Sequence, residues 1–311
     1  EVQNIPHWDK FVRRLTDAKY RVYVTGSNAK MLSKEVATTL GGRFFIYDAY
    51  PYSFKEYLVA QHVELKEYWE YDTIQRSEVK RHLNEYFYYG GLPEILSFKN
   101  KRAMLSSLYQ KIYLGDICAR NNIKNDRVLN ILIKKMAESV KQPLSYNRLK
   151  NVIVATGSPI SVPTTIDYVN YASDSWLILP MENEVGKLTE KEMQKKYYFV
   201  DNGLLNLFLM NSETSLLENV VAVELCRRFG KKNVFFLNAE KEIDFIVPDE
   251  KLAIQVSYSI KDETTYNREV PPLAKYSKLH EDWKCLLITY DEEGTEEGIP
   301  VVPVWKWLME V

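Results

Sequence analysis

The sequence has 311 residues, a formal net charge of −1, 46% hydrophobic residues and 27% charged residues. This balance is typical of a globular protein and excludes a wholly disordered chain. A net charge near zero also excludes attraction of nucleic acid by the field of the whole molecule, so any such binding has to use a local basic face.

Cysteines, histidines and hydropathy narrow the class of protein further. Cys118, Cys226 and Cys285 are far apart and form no C-x-x-C pair, so we expect free thiols in a reducing compartment. The four histidines show no metal-ligand spacing, which makes zinc unexpected. No apolar run approaches the roughly 20 residues that span a membrane, and no signal peptide is present, so we predict a cytoplasmic protein. The first residue, Glu1, is not methionine, which suggests a fragment or a processed chain.

The N-terminal region predicts a strand, a helix and a second strand. Residues 21–26 form a short β-branched and aromatic run that is typical of a buried strand. Ser27 or Asn28 is placed to cap a helix to about residue 40, and residues 43–49 predict the next strand. Strand, helix and strand at this spacing indicate a parallel sheet with a crossover helix.

Helical patterns follow over residues 53–110, with an interruption at Gly90-Gly91-Leu92-Pro93. A helical linker then continues to about residue 120. We assign residues 1–120 to one domain, which ends with this linker.

The second predicted domain, residues 121–192, has the layout of a winged helix. A helix over 128–140 is followed by one capped at Ser145, a third beginning near Pro163, and a wing strand at 176–179. If the module bound DNA, the third helix would enter the major groove, but its exposed face lacks Lys and Arg and carries Asp167. We therefore favour a module that packs between the first and third domains over a DNA-binding module.

The third predicted domain, residues 193–311, reads as a mixed α/β unit of typical size. Its predicted helices cover 216–229, as an amphipathic helix, and about 272–280. Its predicted strands cover 197–201, 234–237, 243–247, 253–258, 284–290 and 299–304.

Five short motifs occur in a specific order along the chain. They lie at 1–8, 25–28, 41–43, 51–58 (Pro-Tyr-Ser-Phe-Lys-Glu-Tyr-Leu) and 90–93. In this order they resemble the bacterial and archaeal ATPases of the AAA+/STAND group. There they correspond to the end of the Walker B strand, the sensor-1 strand, a Gly-Arg motif, a Pro-Ser-Phe-x-Glu-Tyr-Leu signature and a motif of the lid helices. The resemblance covers nearly the whole chain and implies an α/β fold that begins with a partial P-loop-type parallel sheet and a helical lid.

The resemblance also implies roles in phosphate chemistry. Glu1 would polarise the attacking water, and Ser27 or Asn28 would orient that water or touch the γ-phosphate. Arg43 would neutralise the charge that develops during phosphoryl transfer. The plainer alternatives are a frayed terminus for Glu1, a simple helix cap at Ser27 or Asn28, and a surface position for Arg43.

ATP with Mg²⁺ is the cofactor that the resemblance implies, and Gly91 and Pro93 are its candidate binding residues in the lid, with a simple turn as the alternative. Phosphates need a loop of the form G-x-x-x-x-G-K-[ST], which the printed sequence does not contain. We therefore expect no ATP to be bound by these 311 residues themselves, and we expect ATP and Mg²⁺ to belong to a longer protein.

The third domain resembles the restriction-endonuclease-like, PD-(D/E)XK core. An active core uses a helix Glu, a strand Asp and a Glu/Asp-x-Lys motif to hold a divalent metal and activate water. Glu218 and Asp244 match the first two positions and are the candidate metal ligands, with Glu242 as an additional carboxylate. Gln255 and Ser257 stand where the second carboxylate and the lysine should be, so hydrolysis is doubtful.

Three functions therefore remain open. In the first, ATP hydrolysis rearranges the C-terminal modules on a nucleic acid or protein partner, with a homo-oligomer as one arrangement. In the second, the chain is a DNA- or protein-binding or regulatory module that keeps a degenerate nuclease fold as a scaffold. In the third, Glu218 and Asp244 carry metal-dependent nuclease activity.

Overall fold

A computed structural model describes residues 5–26, 44–239 and 242–310. Within them the protein is α/β, with a three-stranded sheet and a mixed six-stranded sheet. Glu1, Ser27, Asn28 and Arg43 lie outside the described residues, as does the helix predicted over 27–40.

The N-terminal region differs from its prediction. Helix α1 covers Trp8–Asp17 and buries Trp8 and Val12, but residues 20–26 and 44–50 form no strand. The strands predicted at 21–26 and 43–49 are therefore wrong over their described residues. Tyr23, Phe45 and Tyr47 are more than 80% exposed, so no neighbouring described strand covers or pairs with them. Residue propensity favours strands here, but a strand is stable only as part of a sheet.

The helical prediction over 53–110 is confirmed. The helices are α2 (Phe54–Ala60), α3 (Thr73–Tyr89) and α4 (Lys101–Gln110), with 3₁₀ turns at Trp69–Tyr71 and Pro93–Ile95 and a π-helix at Lys111–Ala119. A capping box begins α2, since Ser53 Oγ accepts the N–H of Glu56 while the Glu56 carboxylate accepts the N–H of Ser53. Gly90, with φ +75°, ends α3.

Three helices and a small antiparallel sheet follow. The elements are α5 (Asp126–Glu138), β1 (Leu144–Ser145), α6 (Tyr146–Ala155), α7 (Val162–Asp174), β2 (Ile178–Met181), α8 (Leu188–Met193) and β3 (Gln194–Phe199). The sheet order is β1-β3-β2, with Leu144 opposite Lys195 and Ile178 opposite Phe199. The three predicted helices are confirmed, and Ser145 caps α6 as predicted. Strand β3 comes from the predicted third domain but pairs with the strands of the second.

The remaining elements form the larger sheet and its helices. They are α9 (Asn202–Asn206), α10 (Glu213–Phe229), β4 (Phe235–Asn238), β5 (Glu242–Val247), β6 (Leu252–Val256), α11 (Glu263–Leu279), β7 (Lys284–Thr289), β8 (Gly294–Glu296), β9 (Ile299–Pro303) and α12 (Val304–Trp307). The sheet order is β4-β5-β6-β7-β9-β8. Strands β6, β7 and β9 run parallel, and the other neighbours pair antiparallel.

Two helices of this region differ from their predictions. Helix α10 is not amphipathic, because residues 215–226 are all buried where the helix contacts β3, β6, α3 and α9. Helix α11 begins at Glu263 and not near Pro272. Proline favours a first helical turn, which places the predicted start too late, whereas Asp262 caps the helix by accepting the N–H of Thr265.

The core is shared between the regions. One apolar cluster runs from α2 and α3 through the three-stranded sheet to α10 and one face of the six-stranded sheet, and a second fills the space between its other face and α11. No helix among the described residues is both long enough and apolar enough to cross a bilayer.

Candidate functional site

A fully buried lysine lies where three carboxylates converge. The Nζ atom of Lys196 is 3.1 Å from Glu218 Oε1, 3.1 Å from Glu242 Oε1 and 3.2 Å from Asp244 Oδ1. These four residues are called the Lys196 cluster below. Since Lys196 is on β3, Glu218 on α10, and Glu242 and Asp244 on β5, the cluster joins the two sheets through the helix between them.

Further hydrogen bonds hold the carboxylates in place. The hydroxyl of Tyr198, two residues along β3 from Lys196 and so on the same face, donates to Glu218 Oε1 at 2.8 Å. The N–H of Val256 on β6 donates to Asp244 Oδ2 at 3.0 Å. The Phe236 ring lies 5.7 Å from the lysine ammonium and closes another side of the cluster.

The electrostatics follow from burial and from three acids surrounding one base. Burial disfavours the charge on Lys196, but Glu218, Asp244 and Glu242 outweigh this effect, so the lysine pKa is raised and the ammonium persists. Burial, reinforced by the charge of Asp244, raises the pKa of Glu218 to about 7. The Lys196 cluster is therefore held by a permanent internal cation.

Access to the cluster is restricted. The side chains of Lys196, Glu218 and Asp244 are 0%, 5% and 9% exposed, whereas Glu242 is 45% exposed at the rim. The structure thus brings the two candidate metal ligands, Glu218 and Asp244, into one place, with the lysine ammonium between them. Among the described residues, no group of three or more His, Cys, Asp or Glu is arranged to hold a metal ion. The metal-ligand role of Glu218 and Asp244 stays a prediction.

Gln255, at the position of the expected second carboxylate, forms hydrogen bonds through its side-chain amide. Gln255 Oε1 accepts the N–H of Asp244, and Gln255 Nε2 donates to Glu269 on α11. An ionised carboxylate at position 255 would have no N–H group to donate to the carboxylate of Glu269, whereas the glutamine amide has one. Ser257, at the position of the expected lysine, donates to the carbonyl of Ser259.

A second buried carboxylate contacts the glycine motif that ends α3. Asp201 accepts the N–H of Gly91 and the N–H of Gly203, each at 2.8 Å. Burial raises the pKa of Asp201 to about 6 even though these N–H groups favour its charge. A Cβ on Gly90 would overlap the Asp201 carboxylate, so glycine is needed for this close approach. We call this contact the Gly90–Asp201 joint.

Both backbone polar groups of Gly91, one of the two candidate cofactor residues, are hydrogen-bonded within the protein. The N–H of Gly91 is used by Asp201, and its carbonyl accepts the N–H of Tyr52 at 2.8 Å. Pro93 begins the 3₁₀ turn Pro93–Ile95. Binding of a cofactor by Gly91 and Pro93 stays a prediction.

Buried asparagines connect the joint with the Lys196 cluster. Asn202 Nδ2 donates to the carbonyls of Phe87 and Leu216, each at 3.0 Å. Asn219 accepts the N–H of Phe199 and donates to its carbonyl, so it fixes α10 against β3. These residues and Lys196 are absent from the sequence-based site. Asn219 lies beside Glu218 in an otherwise apolar stretch, and this pattern is a signal that could have found it. Lys196 follows Gln194 and Lys195 in the sequence and carries no such signal.

Two family models match separate parts of the chain. A model described as an AAA domain matches residues 1–58. A model described as a domain of unknown function (DUF8612) matches residues 80–215, a span that includes Gly91, Lys196 and Asp201.

Two relatives match nearly the whole chain. The uncharacterized protein MJ1544 of Methanocaldococcus jannaschii is 33% identical over 99% of this chain and 73% of its own length. An uncharacterized protein of Haemophilus influenzae is 31% identical over 100% of this chain and 76% of its own length. No solved structure matches the chain.

Proposed function

The chain belongs to the same family as the uncharacterized M. jannaschii and H. influenzae proteins, and from this premise we propose an ATP-dependent protein of the AAA type whose C-terminal half is a binding module and not a nuclease. The ATP-dependent part rests on the AAA-domain match over residues 1–58 and on the order of the five motifs. In this proposal Glu1, Ser27, Asn28 and Arg43 act on the phosphates and on the attacking water.

The binding module has two parts. The element order α5-β1-α6-α7-β2-α8-β3, in which the short helix α8 joins the last two strands, and the sheet order β1-β3-β2 support a winged helix. The mixed sheet, with Glu218 on a buried helix and Asp244 on a strand that meets it, supports a restriction-endonuclease-like fold.

The position of Lys196 carries the proposal. A nuclease of this fold needs a divalent cation between its carboxylates and a path for the phosphodiester to reach it. Here a covalently tethered ammonium contacts Glu218, Glu242 and Asp244, and its side chain is fully buried. The charge that a metal would supply is thus supplied by the chain itself, which makes the cluster a structural connection between the two sheets.

A metal-dependent nuclease is the second candidate function. The observation in its favour is that Lys196 brings to Glu218 and Asp244 the lysine that Ser257 does not provide. Against it stands the burial of all three side chains, because a phosphodiester has to come within bonding distance of a catalytic metal.

We expect the purified protein to leave single- and double-stranded DNA and RNA intact in Mg²⁺ or Mn²⁺. Its background should equal that of Asp244→Ala, because neither metal reaches the carboxylates that Lys196 already contacts. The assay is gel analysis of end-labelled substrates, with a known metal-dependent nuclease as positive control. Cleavage by the wild-type protein that Asp244→Ala abolishes would establish the second candidate function and refute the first.

For any form of the protein that hydrolyses ATP, Arg43→Ala and Glu1→Gln should each lower kcat by a factor of about 10²–10³, the usual loss when one stabilising group is removed. Phosphate release is the measurement. The control is Lys278→Ala, at an exposed residue of α11, which should leave turnover unchanged. Unaltered turnover in both active-site variants would contradict the assigned roles.

A further inference from the structure

A cleft with a volume of about 500 Å³ opens beside β2 and the turn that joins α10 to β4. Its volume lies within the range of about 300–1,000 Å³ that is typical of small-molecule sites. The residues that matter for its chemistry are Trp176, Leu179, Glu182, Lys231, Lys232 and Val234.

The walls of the cleft combine apolar and charged groups. Leu179 and Val234 are 4% and 1% exposed and belong to the main core, so the floor is rigid and apolar. Lys231 and Lys232 follow each other in the turn after α10 and bring two ammonium groups to one rim. The carboxylate of Glu182 is 41% exposed; its Oε1 accepts from Lys195 Nζ at 2.8 Å, and its other oxygen can accept a hydrogen bond from a ligand N–H or O–H group.

Trp176 lines the cleft directly after the end of α7. Its φ of +57° is the left-handed conformation that ends the helix, where the N–H of Leu177 donates to the carbonyl of Ala172 at 3.0 Å. The Trp176 ring meets the edge of Tyr50, with centroids 5.6 Å apart, and Lys231 Nζ lies 4.2 Å from its centroid. The fold thus holds an aromatic surface next to a cation.

One of the two lysines already pairs with a carboxylate of the chain. Lys231 Nζ forms an ion pair of 3.1 Å with Asp48, whose side chain is 26% exposed. Lys232 is exposed, and within the described ranges no carboxylate lies at ion-pair distance from it. One ammonium is therefore free to bind an incoming anion, and the other can exchange Asp48 for it.

We propose that this cleft binds a mononucleotide. The base packs against Trp176 and the apolar floor, its polar edge or the ribose reaches Glu182, and the phosphate lies between Lys231 and Lys232. A phosphate dianion matches two ammonium groups, whereas a purely apolar ligand would leave Lys232 unused. The site shares no residue with Glu1, Ser27, Asn28 or Arg43, so it stands independently of the ATPase proposal.

Isothermal titration calorimetry of the full chain with AMP tests the proposal. AMP should bind at least tenfold more tightly than adenosine and at least tenfold more tightly than inorganic phosphate, since each of these lacks one half of the ligand. Lys232→Ala should weaken AMP binding at least fivefold. Asp48→Asn should strengthen it, because the carboxylate that competes for Lys231 is removed.

Two controls distinguish a loss of AMP binding from a loss of folding. Lys232 is exposed, so Lys232→Ala should melt at the same temperature as the wild type, and Lys278→Ala is the matched lysine control with unchanged affinity. Absence of AMP binding at millimolar concentration overturns the proposal, as does AMP binding that neither Lys232→Ala nor Asp48→Asn alters. Tighter binding of a single-stranded oligonucleotide with the same dependence on both residues would overturn the mononucleotide assignment.

Discussion

Replacing Lys196 with methionine should lower the free energy of unfolding by about 3–5 kcal/mol, the usual loss when one partner of a buried ion pair is removed. Methionine keeps most of the length and apolar surface of the side chain but leaves Glu218, Glu242 and Asp244 without the cation that all three contact. Urea unfolding followed by far-UV circular dichroism gives the change directly, from the midpoint and the slope.

A compensated variant separates the loss of charge balance from a simple packing defect. Adding Glu218→Gln and Asp244→Asn to Lys196→Met should restore more than half of the lost stability, because the buried carboxylates no longer stand unpaired. Lys195→Met is the control. Its partners Glu182 and Glu192 are 41% and 61% exposed, so the expected loss is at most about 1 kcal/mol. A Lys196→Met protein as stable as the wild type would refute the structural role of the cluster.

The second large effect is expected at the Gly90–Asp201 joint. Gly90→Ala should cost about 2–6 kcal/mol, because two penalties of about 1–3 kcal/mol each add. Its φ of +75° and ψ of −169° lie in a region that glycine alone adopts readily, and the new Cβ would overlap the carboxylate of Asp201. Thermal and urea unfolding of the purified variant measure the loss.

Gly157→Ala is the matched control for this prediction. Gly157 also has a positive φ, +82°, but a Cβ there meets no atom within 4 Å. Its expected loss is only the backbone penalty of about 1–2 kcal/mol. If Gly90→Ala costs no more than Gly157→Ala, the contact with Asp201 contributes nothing to stability.

Local sequence patterns were sufficient for most helices and for five of the six strands of the larger sheet, whereas β8 (Gly294–Glu296) was not predicted. Ser53 and Ser145 begin helices as their capping chemistry predicts, and the apolar runs near 243–247, 284–290 and 299–304 form strands. The same patterns failed at 21–26 and 44–49, because strand formation requires a partner strand that propensity does not supply.

The sequence by itself therefore determined the presence of most helices, the α/β class and the motif order, all of which depend on interactions within a few residues. Only the tertiary structure decided which charges meet. Lys196 is 22 residues from Glu218 and 48 from Asp244, and Gly91 is 110 from Asp201. Such contacts depend on strand pairing and helix packing, which no local periodicity encodes. A lysine that appears solvent-exposed in the sequence thus lies at the centre of the carboxylates predicted to hold a metal.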